Sequence, residues 1–243
     1  MAYQSIFKRY ELKYMLTTEQ KERVLQAMAP YMELDRYGRT TIRNIYFDTD
    51  TYRLIRRSIE KPAYKEKLRI RSYKQATEDS TVFVELKKKY DSVVYKRRIS
   101  LQQKEAMDFT TARVPVAPTQ ISREIEYFMD FYQGLRPTVF LSYEREAYYE
   151  RDGGDFRVTF DDNILCRTND LSLTSEVYGT PILEPGKVLM ELKCAGGIPL
   201  WMAHVLSENK IYKTSFSKYG TAYAQLIFPQ LNNQAQTKAN RFM

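Results

Sequence analysis

The sequence predicts an α+β domain built around one long antiparallel sheet. Eight segments alternate apolar and polar residues with the period of two that indicates half-buried strands. They lie near residues 3–14, 42–48, 64–73, 81–90, 93–101, 138–149, 156–163 and 187–194. Several follow each other through short turns, as at 90–92, which favours antiparallel pairing. Strands of about ten residues are long, and we expect such a sheet to curl or close so that its edges are protected.

Helix signals lie between and after these strands. Thr17 and Gln20 have the spacing of a capping box, and Pro30 limits the helix that they open. Ser100 and Gln103 repeat that spacing and predict a short helix ending near Phe109. The remaining segments with helical apolar spacing are 121–132, closed by Gly134, and then 199–208 and 219–228.

Composition indicates one soluble domain. Of the 243 residues 43% are hydrophobic and 28% charged, which is ordinary for a globular protein. No repeat or linker divides the chain, so we predict one domain over 1–231 and a frayed polar tail over 232–243. No signal peptide or run of 18 apolar residues is present. Cys166 and Cys194 have no metal-site spacing, and a reducing cytoplasm fits best.

The net charge of +8 predicts an anionic partner. Nucleic acid is the generic expectation for such a chain, but its basic residues are spread through strands rather than massed on one helix or tail. No nucleic-acid motif and no Gly-x-x-x-x-Gly-Lys phosphate loop is present. A specific nucleic-acid partner is therefore not expected.

The charged residues of the strands fall on shared faces. Alternate residues of a strand point to one side of a sheet, so Arg69 shares a face with Arg71, and Glu191 with Lys193. Two arrangements fit this pattern. The charged faces meet water on an open sheet, or the sheet closes and they line its lumen, where such a concentration of cations requires acids, water and a bound polyanion. Spacing alone does not decide between them.

The series of motifs resembles a known family. Residues 9–13, Arg-Tyr-Glu-Leu-Lys, resemble the Glu-x-Glu-x-Lys signature of triphosphate tunnel metalloenzymes. The later motifs resemble most closely the VTC branch, the polyphosphate polymerase domain of the vacuolar transporter chaperone complex. They are the segments 45–48, 68–71, 82–87, 143–145, 157–161, 190–193 and 216–219. The resemblance runs from about residue 5 to 228 and implies a closed eight-stranded antiparallel barrel with helices packed outside.

The resemblance also implies a site. The catalytic cations that would hold the phosphate chain are Lys13, Arg69, Arg71, Lys87, Arg145, Arg157 and Lys218. Residues expected to contact substrate are Arg9, Lys96, Arg98, Lys193, Ser217 and Tyr143, the last near a nucleotide base. Glu191, with Glu85 and Glu11, is expected to bind Mn²⁺ or Mg²⁺. Arg9 stands where the hydrolytic branch has its first glutamate, which is more typical of the polymerase branch.

The implied function is that of a metal-dependent polyphosphate polymerase. It would transfer the γ-phosphoryl group of ATP onto a growing inorganic polyphosphate chain and release ADP. The alternatives are a tripolyphosphate or nucleoside triphosphate hydrolase of the same superfamily, and a polyphosphate-binding subunit without catalysis. A membrane-protein partner at the inner face of the membrane, receiving the polymer, follows from the family analogy alone.

Overall fold

The structure is a computed structural model that describes residues 10–91 and 93–233. Arg9, the beginning of the first predicted strand and residues 234–243 of the predicted tail lie outside this part of the chain. Residues 232 and 233, predicted to fray, are helical. None of the helices within these ranges is long and apolar enough to cross a membrane.

The strands lie close to their predicted positions, with two short additions. They are β1 (Tyr10–Thr17), β2 (Met32–Leu34), β3 (Thr40–Asp48), β4 (Tyr64–Tyr73), β5 (Thr81–Tyr90), β6 (Val93–Gln102), β7 (Arg136–Glu150), β8 (Arg157–Arg167), β9 (Thr180–Pro181) and β10 (Lys187–Cys194). The helices are α1 (Thr18–Met28), α2 (Arg53–Ile59), α3 (Gln103–Met107), α4 (Gln120–Phe131), α5 (Leu200–Glu208) and α6 (Lys218–Ala222). Single π-helical turns extend α3 and α6, at Asp108–Ala112 and Tyr223–Ile227.

The sheet is antiparallel and strongly curled, but it is open. Its strands follow the order β1-β10-β8-β7-β3-β4-β5-β6, with β2 and β9 paired on the side. Within the described ranges no backbone ladder joins the edge strands β1 and β6, so the expected closed eight-stranded barrel is not confirmed. Lys13 on β1 and Lys96 on β6 both line the concave side. The opening is spanned by side chains instead, since Glu11 of β1 pairs with Lys87 of β5.

The apolar face of the sheet is convex and carries the helices. Leu68, Ile70 and Val84 are fully buried in a cluster with residues of α3 and α4. A second cluster joins β1, β8 and β10 to α1 and α5, with Leu192 and Met202 among its members. The charged face of the same strands is therefore left on the concave side.

Local helix signals gave mixed results. Thr17 and Gln20 form the predicted capping box at α1, each side chain accepting a hydrogen bond from the other residue's backbone amide. The predicted box at Ser100 and Gln103 is wrong. Ser100 lies in β6 opposite Phe83, and α3 begins only after this strand ends. The ten-pair ladder between β5 and β6 thus overrides a two-residue cap signal.

Asp48 connects three parts of the fold at one end of the concave side. Its Oδ1 accepts hydrogen bonds from the amides of Thr49 and Leu54, and its Oδ2 accepts from Ile55 N and Tyr219 Oη, all at 2.9–3.0 Å. Tyr219 of α6 stacks on Tyr46 of β3 with ring centroids 5.1 Å apart. The carboxylate therefore fixes the start of α2 and anchors α6 against the inner surface of the sheet.

We expect Asp48→Ala to lower the free energy of unfolding by about 3 kcal/mol, because it leaves buried amide donors and the tyrosine hydroxyl without their charged acceptor. Urea denaturation measures the change. Asp50→Ala is the matched control, since Asp50 is exposed and its loss should change stability by less than about 0.5 kcal/mol. Equal effects of the two substitutions would contradict this role.

Candidate functional site

The concave side of the sheet encloses a cavity of about 970 Å³. The predicted site residues that line it are Glu11, Lys13, Arg69, Arg71, Lys87, Lys96, Arg98, Tyr143, Arg145, Arg157, Glu191, Lys193, Ser217 and Lys218. Glu85 instead lies beneath this surface and is fully buried. Arg9 belongs to the residues that are not described. These residues are up to about 200 positions apart in the sequence, and the curled sheet places them around one cavity.

Glu85 is the centre of the first charge cluster. Strand register places Arg69 and Arg98 directly opposite it on the two neighbouring strands. Arg69 donates to Oε2 at 2.9 Å, Arg98 donates to Oε1 at 2.7 Å, and Lys96 Nζ lies 2.6 Å from Oε1. Burial alone would raise the pKa of Glu85, but these cations and Arg71 outweigh it and hold the pKa well below its ordinary value.

Asp161 and Arg145 begin the second charge cluster. They are cross-strand partners, and the guanidinium donates to both carboxylate oxygens at 2.6 and 2.7 Å. Lys218 approaches the same carboxylate at 2.5 Å. Burial acts to raise the pKa of Asp161, but Arg145 and Lys218 shift it downward. A planar bidentate pair is the strong geometry for an arginine and a carboxylate.

Glu191 extends this cluster towards the cavity. Its carboxylate lies 3.3 Å from Lys13, 3.2 Å from Lys193, 3.5 Å from Arg145 and 3.6 Å from Lys218. Burial opposes ionisation, yet these cations hold the pKa of Glu191 well below its usual range. Glu191 is therefore ionised at neutral pH. Its single negative charge is shared among four neighbouring cations, so it does not neutralise any of them fully.

Glu11 joins the two sides of the cavity. Its carboxylate accepts from Lys87 of β5 at 3.1 Å and lies 3.5 Å from Lys13 on its own strand. The Lys87 ammonium lowers the pKa of Glu11 far below its ordinary value. This contact joins β1 to β5 across the opening of the sheet through side chains, without a backbone ladder.

Ser217 and Lys218 reach the cavity from the start of α6. Ser217 Oγ accepts a hydrogen bond from Gly220 N at 3.2 Å and so caps the helix. A side chain at residue 220 would place its Cβ 3.2 Å from Ser217 Cβ and Oγ, so any residue larger than glycine would crowd the cap. Lys218, the first residue of α6, reaches Asp161.

Tyr143 lines the cavity, and its expected place near a nucleotide base stays a prediction. The residue is buried, and its hydroxyl accepts from Arg71 Nη2 at 3.0 Å. Lys218 Nζ lies 4.4 Å from the ring centroid, and the Arg145 guanidinium lies 5.1 Å from it. Such distances are those of cation–π contacts. The ring therefore packs against the cations of the second cluster.

Lys67 and Tyr46 are among the cavity-lining residues to which the sequence assigned no site role. Tyr46 is buried in an apolar cluster of the core, and its hydroxyl accepts from Arg69 Nη1 at 2.8 Å. Lys67 donates to Ser217 Oγ at 3.0 Å. Alternation already placed Lys67 on the face of Arg69, so that signal was available. The hydrogen bond of Tyr46 to Arg69 was not predictable, because tyrosine occurs on both the apolar and the polar faces of strands.

The donor set suits a divalent metal only in part. Within the described residues no three His, Cys, Asp or Glu side chains form a group suited to a metal ion. Glu11 and Glu191 both line the cavity, on either side of Lys13. Mg²⁺ is commonly bound through one or two carboxylates together with substrate phosphates and water. These two residues therefore fit such an ion when a phosphate ligand supplies further oxygens.

Solved structures of related shape support the fold. A candidate adenylate cyclase from Bacillus halodurans superimposes with a TM-score of 0.54 at 14% identity, over 88% of this chain and 95% of that one. A candidate adenylyl cyclase from Hippeastrum with a dominant triphosphatase activity gives 0.54 at 14% identity, over 89% and 95%. At this identity the likeness establishes the fold alone.

The search of curated proteins found no match. The profile of the VTC domain matches residues 8–227, which include every described strand and every residue of the two charge clusters. The chain belongs to the VTC domain family.

Proposed function

We propose that this protein is a metal-dependent polyphosphate polymerase that transfers the γ-phosphoryl group of ATP to the end of a phosphate chain. The observation that carries the proposal is the charge of the cavity. Twelve lysine and arginine side chains line it among the described residues. Among the described residues, five carboxylates lie in or beneath that surface: Glu11, Asp35, Glu85, Asp161 and Glu191. A chain of phosphates matches this excess of positive charge.

The chemistry asks mainly for positioning. Phosphoryl transfer requires that charge spread over phosphate oxygens be neutralised, with little covalent work for the protein. Arginine binds phosphate oxygens bidentately and remains charged, which suits Arg69, Arg71 and Arg145. The γ-phosphorus forms a bond to a terminal oxygen of the chain while its bond to the ADP oxygen breaks, and ADP leaves. Mg²⁺ or Mn²⁺ held by Glu11 and Glu191 would supply further neutralisation of phosphate charge.

No strong base is needed for this reaction, because the acceptor is already an anionic phosphate oxygen. The carboxylates in contact with the cavity are consistent with that. Glu11 and Glu191 are ion-paired, and their lowered pKa values make them poor proton acceptors at neutral pH. Neither carboxylate is therefore suited to be the base that activates water in a hydrolase.

A triphosphatase is the second candidate. The Hippeastrum protein of similar fold has a dominant triphosphatase activity, and the same cavity would hold a short triphosphate. A binding subunit without turnover is the remaining alternative. The products formed from ATP separate all three.

The purified chain with ATP and Mn²⁺ or Mg²⁺ should form a polyphosphate ladder on a stained gel, with matching release of ADP. Free phosphate without polymer would instead identify a triphosphatase. Tight, salt-sensitive binding of polyphosphate without turnover would leave a binding subunit. Both results contradict the polymerase proposal.

Arg69→Ala combined with Arg71→Ala should reduce turnover by at least about a hundredfold, since each lost charged hydrogen bond to phosphate costs about 1.5–3 kcal/mol. Lys104→Ala combined with Arg123→Ala removes the same charge from exposed positions outside the cavity. This control should retain activity. Full polymer synthesis by the Arg69 and Arg71 variant would overturn their assignment.

Glu85 and Glu191 should play different roles, although the sequence placed both with the metal. Glu85 is fully buried beneath four cations, so we propose that it positions them. They are Arg69, Arg71, Lys96 and Arg98. Glu85→Gln should lower stability by about 3 kcal/mol, because cations that face each other lose their shared counter-charge. The metal concentration that gives half-maximal activity should be the same for Glu85→Gln as for wild type. Glu191→Gln should raise that concentration at least about tenfold.

Thermal unfolding and metal titration at saturating ATP measure the two effects. Glu105→Gln, at an exposed position of α3, is the control for both measurements. A raised metal requirement in Glu85→Gln would return Glu85 to the metal site. An unchanged requirement in Glu191→Gln would remove Glu191 from it.

A further inference from the structure

Lys67 differs from the cations around it. It lies half-buried on the concave face of β4, and its ammonium donates to Ser217 Oγ at 3.0 Å. Its neighbours Lys13, Arg69 and Lys87 each contact a carboxylate. Lys67 has no ion pair with any carboxylate of the described residues. The positive charge of Lys67 is therefore unbalanced within the described part of the cavity.

The charged groups that act most strongly on Lys67 are all cations. β1 contributes Lys13, β5 contributes the cross-strand partner Lys87, and β4 itself contributes Lys65 and Arg69. The segment before α6 contributes only the neutral hydroxyl of Ser217. A bound anion is the group that would satisfy this arrangement, and phosphate oxygens accept hydrogen bonds from an ammonium and a hydroxyl together.

Protonation of Lys67 is costly without such an anion. Burial lowers the pKa of Lys67 to about 7, and Lys13, Lys87, Lys65 and Arg69 act in the same direction. The amine is therefore largely neutral at pH 8 and largely charged at pH 6. The negative charge of a phosphate beside Lys67 would raise this pKa, opposing the effects of burial and of the neighbouring cations.

We propose that Lys67 and the hydroxyl of Ser217 form a phosphate subsite of the cavity, and that Lys67 takes up a proton when a phosphate chain binds there. The inference rests on the proposed binding of phosphate chains and adds a residue and a proton linkage to it. It does not depend on whether the chain is polymerised or cleaved.

Calorimetric titration with tripolyphosphate in the absence of metal tests the proposal. Titrations at pH 8 in buffers of different ionisation enthalpy give the number of protons exchanged on binding. We expect wild-type protein to take up about one proton more than Lys67→Arg, because arginine is charged before binding. The protons of tripolyphosphate itself cancel in this difference.

Affinity provides the second reading. Lys67→Arg should bind about tenfold more tightly than wild type at pH 8 and equally well at pH 6, where Lys67 is already charged. At pH 6, Lys67→Met should bind more weakly than wild type and yet unfold at a higher temperature, since it removes a half-buried cation that has no carboxylate partner among the described residues. A merely structural lysine would lower stability when replaced.

Lys96 is the rival source of such a proton. Burial lowers the pKa of Lys96 to about 7 as well, although Glu85 opposes that shift. Loss of the proton uptake in Lys96→Arg, with the uptake retained in Lys67→Arg, would overturn the assignment to Lys67. If wild type binds tripolyphosphate and Lys67→Arg takes up the same number of protons as wild type, the assignment to Lys67 is overturned. The proposed function remains intact in that case. Absence of tripolyphosphate binding by wild type would count against the proposed function itself.

Discussion

The structure depends on a few buried carboxylates that are each shared by several cations. Two unit charges 4 Å apart interact by roughly 4 kcal/mol at an effective dielectric of 20, so the cations of the concave face would otherwise repel one another strongly. Glu85, Asp161 and Glu191 stabilise them through strand register, which sets each acid opposite a cation. Their pKa values are lowered, so this stabilisation is complete above the ordinary carboxyl pKa of about 4 and is lost as the pH falls below it.

The same balance leaves the cavity short of negative charge, and this couples the fold to its ligand. The acids fix where the arginines point without neutralising all of them. Lys67 is a cation that none of the described acids neutralises, because its partner is the hydroxyl of Ser217. A phosphate chain would complete the set of interactions, so binding and stability should be linked.

Alternation predicted the long strands and which charged residues share a face, because the period of two persists along a whole strand. The roles of these residues in binding phosphate came from the resemblance and stay a prediction. The bounds of β4, β5 and β10 agree with the predicted segments, and Arg69, Arg71, Lys193 and Glu191 lie on the concave face as their spacing requires. Closure was not predictable from spacing, because alternation fixes the faces of each strand but not which strands pair at the two edges. The closed barrel implied by the resemblance is not confirmed, since no ladder joins β1 and β6 in the described residues. Burial within the charged face was also invisible. Glu85 and Glu191 follow the same pattern in sequence, yet only Glu191 lines the cavity.

A crystal structure with tripolyphosphate bound tests the central claim most directly, namely that the concave face holds a linear phosphate chain. We predict phosphates along the cavity between the Glu85 cluster and the cluster of Asp161 and Glu191, with one phosphate at Lys67 and Ser217. Phosphates bound only on the convex or helical surface, with the concave ion pairs unchanged, would contradict it.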